Sequence, residues 1–439
     1  MKVAFISLGC AKNLVNTEQM MALCRDAGHT LLEEPAGADA VVINTCGFID
    51  SAKEEAIDTI LSVAELKSAG QVGKILVTGC LTQRYQQEIL DELPEVDGIM
   101  GTGSYSEVVS VVEAVLAGDK PTRRGAISAP LYDTPRAIST GPNWAYLRIA
   151  EGCDNRCAYC VIPSLRGKFR SRTKESILEE ASLLAASGVK ELIIVAQDIT
   201  RYGIDLYGKV CLTELLKELC KLDFRWVRLH YLYPELIDDE LIDEIASEDK
   251  IVKYLDIPIQ HINDTILRRM NRRGTGEEIR ALFKKLRERI PGLVLRTSLI
   301  TGLPGEGEAE FEELCDFLRE AKIERAGVFP YSPEEGTVAE KLPDRPDTEV
   351  AEHRGEVIMD QQFKIFSEKQ EELIGQTVRC VVEDYDGFAD VYVGRTWRDA
   401  PEIDSGIFIV APDGLDIGDF VNVKITGTKE YDLTGVVAE

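Results

Sequence analysis

The stretch EGCDNRCAYC, residues 151–160, holds three cysteines in the pattern C-x₃-C-x₂-C: Cys153, Cys157 and Cys160. Soft metal sites usually use four thiolates, or thiolates together with histidines. No histidine follows within the next sixty residues. The stretch comes directly after WAYLRIA (144–150), whose apolar residues predict a buried strand. The sequence therefore predicts three thiolates at the end of a strand and leaves open what occupies the fourth position.

The region around these cysteines alternates strand and helix patterns. Helical stretches such as ESILEEASLLAASG and GEEIRALFKKLRERI separate the apolar runs. Six β/α units are fewer than the eight that close a full barrel, so we expect an open, partial (β/α)6 barrel with the cysteines at its carboxyl mouth. The six strand candidates are WAYLRIA (144–150), ELIIVAQ (191–197), WVRLHYLY (226–233), IVKYLDIPI (251–259), LVLRTSLITG (293–302) and AGVFPYS (326–332).

A second set of three cysteines lies near the amino terminus. Cys10, Cys46 and Cys80 each follow a strand candidate (KVAFISLG, ADAVVINT and KILVTG) and precede a helical pattern. Their spacings of 36 and 34 residues each equal one β/α unit. In a parallel sheet the carboxyl ends of the strands share one edge, so the three thiols should converge. The alternative is three unrelated buried cysteines, but a second cluster with three ligands and one open iron is the sharper interpretation.

The complete chain is predicted to be a multidomain α/β protein. VDGIMGTGS reads as a fourth strand of the first sheet, and from Gln376 five short strands with turns indicate a small β-barrel. The predicted organisation is an N-terminal parallel α/β sandwich over 1–120, a linker over 121–140, the partial barrel over 141–345, a helical connector over 346–375 and the β-barrel over 376–439.

Composition excludes several classes of protein. The chain has 439 residues, a net charge of −26 and 11 cysteines, and no apolar run approaches the roughly 18 residues of a membrane span. The start, MKVAFISLGC, contains too few apolar residues for a secretion signal, so we expect a cytoplasmic protein. In the reducing cytoplasm we expect no disulfide framework. The acidic charge disfavours non-specific nucleic-acid binding and favours a basic partner. Five cysteines are predicted to be small buried residues: Cys24, Cys211, Cys220, Cys315 and Cys380.

The spacing C-x₃-C-x₂-C at the first strand of a six-unit β/α region resembles the radical S-adenosylmethionine (SAM) superfamily. The resemblance implies a [4Fe–4S] cluster whose fourth ligand is SAM, which is cleaved to a 5′-deoxyadenosyl radical. It places Tyr159 beside the adenine. SLITGLPGE (298–306) resembles the superfamily's G-x-I-x-G-x-x-x-E strand through Ile300, Gly302 and Glu306, with Ser298 in place of the first glycine. Gln197 and Asp198 fit the place that contacts the methionyl group.

Both cysteine sets, together with a C-terminal TRAM domain, resemble the methylthiotransferases. The resemblance covers almost the whole chain and is nearest to the branch that modifies an aspartate of small-subunit ribosomal protein twelve. The resemblance implies two [4Fe–4S] clusters, SAM, a sulfide or persulfide donor and an electron donor such as flavodoxin or ferredoxin. The matching stretches are SLGCAKNLVNTEQM (7–20), NTCGFIDSAKEEAI (44–57), TGCLTQRY (78–85), AEGCDNRCAYCVIPSLRGKFRSR (150–172), AQDITRYG (196–203) and GRTWRDAPEID (394–404).

The chemistry implied is insertion of a methylthio group at the β-carbon of that aspartate. The N-terminal cluster would carry the sulfur, one SAM would methylate it, and a second SAM would supply the radical. An unactivated C–H bond has no useful acidity, so general-base catalysis could not replace a radical. Two alternatives stay open: a methylthiotransferase for a tRNA adenosine, and a non-catalytic iron–sulfur electron carrier or redox sensor.

Basic and histidine residues around the predicted barrel mouth are further candidates. Within RGKFRSR (166–172), we expect Arg166, Lys168, Arg170 and Arg172 to offset the charge of the cluster and cosubstrate, or to contact the substrate aspartate. RRMNRR (268–273) is interpreted as an exposed helix end. His230 and His261 close two strand candidates and are expected to form hydrogen bonds rather than bind metal.

The charge of the C-terminal domain bears on the substrate. Residues 371–439 hold five Lys or Arg against 15 Asp or Glu, a net charge of −10. Small five-stranded barrels often bind nucleic acid, but this charge would repel RNA and attract a basic ribosomal protein, either free or in the assembling subunit. Trp397, between Arg395 and Arg398, is predicted to be an aromatic anchor on that surface.

Overall fold

The structure is a computed structural model of the chain, and it describes residues 1–129, 131, 135–412 and 414–438. Two parallel α/β domains are followed by a small β-barrel, which confirms the predicted fold class. The predicted linker over 121–140 falls partly outside the described residues, at 130 and 132–134. Within the described ranges, none of the helices has the length and apolar character that crossing a bilayer requires.

The N-terminal domain is a six-stranded parallel sheet with helices on both faces. Its strands are β1 (Lys2–Ser7), β2 (Thr30–Leu32), β3 (Ala40–Thr45), β4 (Lys74–Gly79), β5 (Gly98–Gly103) and β6 (Thr122–Gly125), in the order β2-β1-β3-β4-β5-β6. Its helices are α1 (Ala11–Asp26), α2 (Asp50–Ser68), α3 (Cys80–Arg84), α4 (Gln86–Glu92) and α5 (Val108–Ala117). Strand β3 is buried throughout, because α1 and α5 cover one face of the sheet and α2 covers the other.

Two edge strands of this sheet carry no strand signal in the sequence. Strand β2 has only three residues, and all four residues of β6 are exposed. Strand β6, with the sequence TRRG, pairs in parallel with β5 inside the segment predicted as a linker. The linker prediction is therefore wrong for these four residues, because an exposed edge strand is held by backbone hydrogen bonds and needs no apolar pattern.

The central domain is an open, six-stranded parallel sheet, as predicted. Its strands are β7 (Trp144–Arg148), β10 (Glu191–Val195), β11 (Trp226–Leu229), β12 (Ile251–Asp256), β13 (Val294–Thr301) and β14 (Arg325–Pro330), in the order β14-β13-β12-β11-β10-β7. A separate two-stranded ribbon joins β8 (Ala150–Glu151) to β9 (Arg170–Ser171). The helices are α6 (Ile162–Arg166), α7 (Lys174–Ala186), α8 (Ile204–Tyr207), α9 (Leu212–Leu219), α10 (Asp239–Ser247), α11 (Asp264–Arg269), α12 (Gly276–Arg289) and α13 (Glu308–Ala321).

Capping residues set where the central helices begin. Thr173 accepts a hydrogen bond from the backbone of Ser176 at the start of α7. Thr275 and Glu278 form a reciprocal capping box at the start of α12. Each cap satisfies backbone N–H groups that have no partner in the first helical turn, so the chain enters these helices at defined positions.

The C-terminal part consists of one long helix and the predicted closed barrel. Helix α14 (Thr348–Glu371) packs against β13 and β14. The barrel strands are β15 (Thr377–Asp386), β16 (Val391–Thr396), β17 (Ile407–Val410), β18 (Phe420–Lys429) and β19 (Asp432–Val437), closed in the order β15-β16-β17-β19-β18. All five other cysteines are buried as predicted: Cys24, Cys211, Cys220, Cys315 and Cys380.

The two flanking domains cover the face of the central sheet that its own helices leave open. Side chains alternate along each strand, so Trp144 and Ile193 point away from the helix-covered core. Val15 of α1 belongs to the same apolar cluster as these two residues. At the amino ends of β11 and β13, Trp226 and Val294 pack instead against the C-terminal barrel.

Candidate functional site

The first cysteine set lies on the tight loop between β8 and α6, at the carboxyl edge of the central sheet. The backbone N–H of Cys153 donates to the carbonyl oxygen of Gly167 at 3.2 Å, and that of Cys160 donates to Cys157 at 3.1 Å. Cys153 and Cys157 are buried, and Cys160 is partly buried. The contiguous loop therefore brings all three thiols to one place, as the spacing predicts.

Burial affects the protonation of Cys153 and Cys160. It raises the pKa of Cys153 to about 11, and burial together with the neighbouring Cys157 raises the pKa of Cys160. A thiol must lose its proton to bind a metal, so metal binding at this loop would release protons.

The second cysteine set occupies the carboxyl ends of three neighbouring strands. Cys10 follows β1 and precedes α1, Cys46 follows β3, and Cys80 opens α3 directly after β4. Strands β1, β3 and β4 lie side by side in the sheet. A side-chain Cβ added at Gly9 would lie 2.6 Å from the Cβ of Cys46, so only glycine lets the chain before Cys10 pass this close. The fold thus brings together the three cysteines that sequence placement grouped.

The electrostatic surroundings of the second set are mixed. Burial, with smaller contributions from Cys80 and Cys10, raises the pKa of Cys46 to about 12. Burial also acts to raise the pKa of Cys10, but Lys12 and Arg166 outweigh it, and the pKa of Cys10 lies below its ordinary value. Positive charge therefore stabilises a thiolate at Cys10 even before a metal binds.

Arg166 and Val161, in the segment that follows the first cysteine set, both contact the second set. Arg166 ends α6, the helix that follows the first set, and its buried guanidinium donates to the Sγ of Cys80 at 3.4 Å. It also donates to Asn16 at 2.8 Å and to Asn13, both on α1. Val161, the residue after Cys160, packs against Cys80. The two sets therefore face one region between the N-terminal and central domains.

The other three basic residues of the segment have different surroundings. Lys168 is exposed. Arg170 is partly buried and donates to the carbonyl oxygen of Lys168 at 2.8 Å. Arg172 is buried, pairs with Glu180 of α7 and donates to the carbonyl oxygen of Arg148 at 2.9 Å. The predicted substrate contact is wrong for Arg172, because its guanidinium is engaged inside the central domain.

Two groups beside Cys157 were not expected from the sequence. The hydroxyl of Tyr233 lies 3.1 Å from the Sγ of Cys157. Arg272 stacks over the Tyr233 ring at 4.4 Å, and its Nη1 lies 3.9 Å from the same sulfur. Arg272 is buried, so the interpretation of RRMNRR as an exposed helix end is wrong for this residue. The segment continues past the end of α11 and turns back under the cysteine loop, and no sequence periodicity reveals that.

The residues predicted near the adenine share one apolar cluster. Tyr159 and Ile300 both pack against Ile266, Met270 and Leu303. Burial, and next the nearby Cys157, raises the pKa of Tyr159 well above its ordinary value. The cluster presents an apolar wall directly beside the first cysteine set, which suits a flat aromatic group.

Gly302 and Glu306 shape the turn after β13. The Gly302 N–H donates to Oε1 of Glu306 at 2.9 Å, and Arg354 donates to the same oxygen at 2.9 Å. Nε2 of His261 lies 3.3 Å from the other oxygen, while its Nδ1 accepts a hydrogen bond from the Asn263 backbone. Because the carboxylate is engaged within the protein, we expect Glu306 to hold this turn and thereby support Ile300.

Gln197 and Asp198 are bound to the loops around the first set. Gln197 donates to the carboxylate of Glu151, which directly precedes the cysteine loop. Asp198 accepts from Asn155, within that loop, at 2.8 Å, and burial raises the pKa of its carboxyl. Both side chains fix the cysteine loop against the end of β10. His230, on the neighbouring strand end, is buried, and burial with Arg228 keeps its pKa well below the ordinary value.

Trp397 is not part of an open surface. It is half-buried and packs with Trp226, Val252 and Val294 at the amino ends of the central strands. The predicted role as an exposed aromatic anchor is therefore wrong. An aromatic residue between arginines has the same sequence signature at a domain interface as on a binding surface.

The two cysteine sets suit an iron–sulfur cluster better than a single metal ion. In the part of the chain that the structure describes, no three side chains from His, Cys, Asp and Glu converge as they do around a metal ion. Three thiolates on different irons of a four-iron cluster lie farther apart than thiolates around one zinc ion. Each set consists of thiols without a histidine, and the thiols within a set still influence one another electrostatically. Such donor sets fit a four-iron cluster better than a zinc ion.

Comparison with known proteins covers the same three domains. Family models match for the radical SAM superfamily over residues 147–318, for the uncharacterized protein family UPF0004 over 2–101 and for the TRAM domain over 374–438. Relatives from Lachnoclostridium phytofermentans and Clostridioides difficile are 48% and 47% identical, each covering at least 99% of both chains. A relative from Pelotomaculum thermopropionicum is 49% identical over 99% of this chain and 98% of its own. All three carry the name ribosomal protein uS12 methylthiotransferase RimO.

The chain belongs to the RimO family.

Solved structures support the fold assigned to this RimO-family chain. The radical SAM methyltransferase TsrM from Kitasatospora setae has a TM-score of 0.55 at 14% identity, over 74% of this chain and 72% of its own. The cobalamin-dependent radical SAM enzyme OxsB has a TM-score of 0.53 at 13% identity, over 83% of this chain and 57% of its own. At these identities the likeness concerns the fold alone. Membership of the RimO family makes this chain a radical SAM methylthiotransferase, an enzyme type that uses SAM and iron–sulfur chemistry.

Proposed function

We propose that this protein inserts a methylthio group at the β-carbon of an aspartate in ribosomal protein uS12. The observation that carries the proposal is the placement of two three-cysteine sets in one region between two domains, where Val161, the residue after Cys160, packs against Cys80. An electron carrier needs only one closed cluster, whereas transfer of a sulfur group to carbon needs a radical source and a sulfur carrier close together. The names of the full-length relatives supply the substrate.

Each cysteine set is proposed to hold one [4Fe–4S] cluster through three thiolates. Cys153, Cys157 and Cys160 would hold the cluster that binds SAM, and the N-terminal set would hold the second. When bound, these groups supply the radical that removes a hydrogen from an unactivated carbon and the sulfur that replaces it. The N-terminal ligands would be Cys10, Cys46 and Cys80.

The chain's own residues orient these groups and balance their charge. Arg166 and Lys12 place positive charge at the N-terminal set, and Lys12 is itself fixed 3.5 Å above the Tyr231 ring. Arg272 and Tyr233 border Cys157. The Tyr159–Ile300 wall would exclude water on one side of the SAM, and Gln197 and Asp198 would hold the cysteine loop beside it.

The substrate proposal has separate support from charge. The C-terminal segment from 371 to 439 carries a net charge of −10, which attracts a basic ribosomal protein and repels tRNA. Lys168 stays a predicted substrate contact, since it is exposed next to the site. A ribosomal substrate also fits the expected cytoplasmic location, a flavodoxin or ferredoxin as electron donor and a sulfide or persulfide as sulfur source.

Mass spectrometry tests the proposal directly. The protein with both clusters is incubated with reductant and SAM, and with either uS12 or unmodified tRNA. We expect a gain of about 46 Da, a methylthio group replacing hydrogen, on an aspartate of uS12 and on no nucleoside. A gain on a tRNA adenosine alone would assign the chain to the other branch of methylthiotransferases. SAM cleavage without any transfer would contradict the sulfur-transfer function.

A further inference from the structure

Three buried cationic side chains border the two cysteine sets: Lys12, Arg166 and Arg272. Two of them are engaged within the protein. Arg166 donates to Asn16 at 2.8 Å, and Arg272 donates to the carbonyl oxygen of Pro258 at 2.7 Å. The Lys12 ammonium, in contrast, donates to no carboxylate or carbonyl oxygen of the residues that the structure describes. Among these three cations, Lys12 is therefore the one whose charge has no such acceptor.

Lys12 lies where the N-terminal domain meets the carboxyl end of the central strands. It follows Cys10 by two residues in the first turn of α1, and its Nζ lies 3.5 Å from the centroid of the Tyr231 ring, just beyond the end of β11. Two residues further along the same segment, the hydroxyl of Tyr233 lies 3.1 Å from the Sγ of Cys157. Two rings of one short segment thus serve the two sets, and Lys12 meets the ring on the N-terminal side.

Tyr231 is held in an unfavourable backbone conformation. Its φ of 65° lies in the left-handed region, which an aromatic residue rarely adopts. Its N–H donates to Oδ2 of Asp256 at 3.2 Å, and its carbonyl oxygen accepts from the N–H of Ile199 at 3.1 Å. Such strain is found mostly at functional sites, where the surrounding structure maintains it. The ring that attracts the Lys12 ammonium through its face is therefore fixed before any ligand binds.

The ammonium is buried but accessible. Lys12 keeps 8% of its surface exposed, and Tyr231 is only partly buried, so a ligand can reach the pair. The described carboxylate with the largest electrostatic effect on Lys12 is Glu151, which already accepts hydrogen bonds from Arg148 and Gln197. A buried cation without a paired anion is unfavourable, so an incoming carboxylate would be stabilised here by a charge-assisted hydrogen bond.

We propose that the Lys12 ammonium, positioned by the Tyr231 ring, binds the carboxylate of the aspartate that receives the methylthio group. The inference rests on the proposed function and names the group that orients its substrate. In aspartate the carboxyl carbon is bonded directly to the β-carbon, so a fixed carboxylate also fixes the reacting C–H bond near both cysteine sets. An adenine base has no anionic group, so the same cation selects for the protein substrate.

A competition between two substrates tests this contact. The protein with both clusters, reductant and SAM receives equal amounts of uS12 and of a uS12 variant whose target aspartate is replaced by asparagine, and mass spectrometry measures both products. Asparagine keeps the size and the β-carbon but carries no charge. We expect the wild type to favour aspartate about tenfold and Lys12→Met to lose this preference, because the charge-assisted hydrogen bond is gone. Lys12→Arg keeps the charge and should retain most of the preference.

The product ratio separates substrate binding from an effect on the N-terminal cluster. If Lys12 only balanced the charge of that cluster, Lys12→Met would slow transfer to both substrates equally, and an unchanged preference would overturn the proposal. A wild type that modifies aspartate and asparagine equally would contradict it as well. Arg124→Gln, which removes an exposed arginine of β6, is the matched control and should show the wild-type preference.

Tyr231→Gly keeps the test decisive if Lys12→Met does not hold its clusters. Glycine accepts the left-handed backbone, so the segment keeps its course while the ring that positions the ammonium is lost. The preference for aspartate should fall several-fold, and an unchanged preference would refute the proposed pair. Transfer to uS12 by the wild type tests the proposed function, whereas the change in preference between variants tests this contact, so the two failures are distinguishable.

Discussion

At the carboxyl end of the central strands lie both cysteine sets and the apolar wall of Tyr159 and Ile300. At the amino end of the same strands the C-terminal barrel is fixed by packing and buried ion pairs. Arg395 of β16 donates to Glu191, the first residue of β10, at 2.6 Å. Two stretches that both match the family motifs thus have different roles. The cysteine loop forms the site, whereas GRTWRDAPEID joins the C-terminal barrel to the central domain. A shared motif therefore does not by itself mark a ligand contact.

The cysteine substitutions test the carboxyl end and have the largest expected effect. Replacing Cys153, Cys157 and Cys160 with Ala should abolish SAM cleavage and leave about four of about eight irons. Replacing Cys10, Cys46 and Cys80 should leave the other four irons and some SAM cleavage, but no methylthio transfer. Iron analysis and 5′-deoxyadenosine assays measure both. An unchanged iron content in the second variant would remove the N-terminal cluster from this account.

Arg395→Ala tests the amino end. The change leaves Glu191 buried with one fewer partner, and we expect a loss of about 3–5 kcal/mol in the free energy of unfolding, measured with urea. Iron content per folded molecule should stay at the wild-type value, since the ligands are at the opposite end of the sheet. Arg379→Ala, an exposed arginine of the same barrel, is the control. Loss of iron at unchanged stability would show that the two ends are not separate.

Trp397→Ala distinguishes a domain contact from a substrate anchor. Its ring packs on Trp226 and Val252, so its loss should lower the free energy of unfolding by about 2 kcal/mol. Phe388→Ala, on the fully exposed tip between β15 and β16, should change it by less than about 0.5 kcal/mol. Weaker uS12 binding at wild-type stability would instead restore Trp397 as an anchor.

Strand patterns predicted the architecture well because both parallel sheets are buried. The runs of Val, Ile and Leu in β3 and β10 specify strands without any tertiary information. The exposed strand β6 has no such run, and its pairing depends on backbone groups alone. The sequence accordingly predicted the buried strands and missed β2 and β6, the two edge strands of the N-terminal sheet.

The candidate site was predictable where one loop or one repeated strand end carries it. Cys153, Cys157 and Cys160 share a loop, and the N-terminal cysteines share a position after their strands. Tyr233 and Arg272 reach Cys157 from segments 76 and 115 residues away, through side-chain directions that no local pattern encodes. Lys12 and Arg166 were visible as charges, but only the fold shows that they meet at Cys10.

Arg166→Gln has the smallest expected effect. It compares the two proposed clusters at the carboxyl end of the central strands with each other. Arg166 contacts Cys80, whereas Arg272 contacts Cys157, so each proposed cluster has its own arginine. Removing the charge of Arg166 should make the N-terminal cluster harder to reduce, because less positive charge stabilises the added electron. The potential of the SAM-binding cluster should change less. Methylthio transfer should fall about tenfold through the lost charge-assisted hydrogen bonds.

Potentiometric titration of variants that hold one cluster each measures this separation. Lys168→Gln removes an exposed charge from the same segment and is the matched control, for which neither potential should move. Arg166→Lys keeps the charge but loses the planar fork to Asn13 and Asn16, so it should restore the potential better than the transfer rate. An equal shift in both clusters on Arg166→Gln would mean that the arginine acts through the field of the whole region, and the assignment of one arginine to each cysteine set would be wrong.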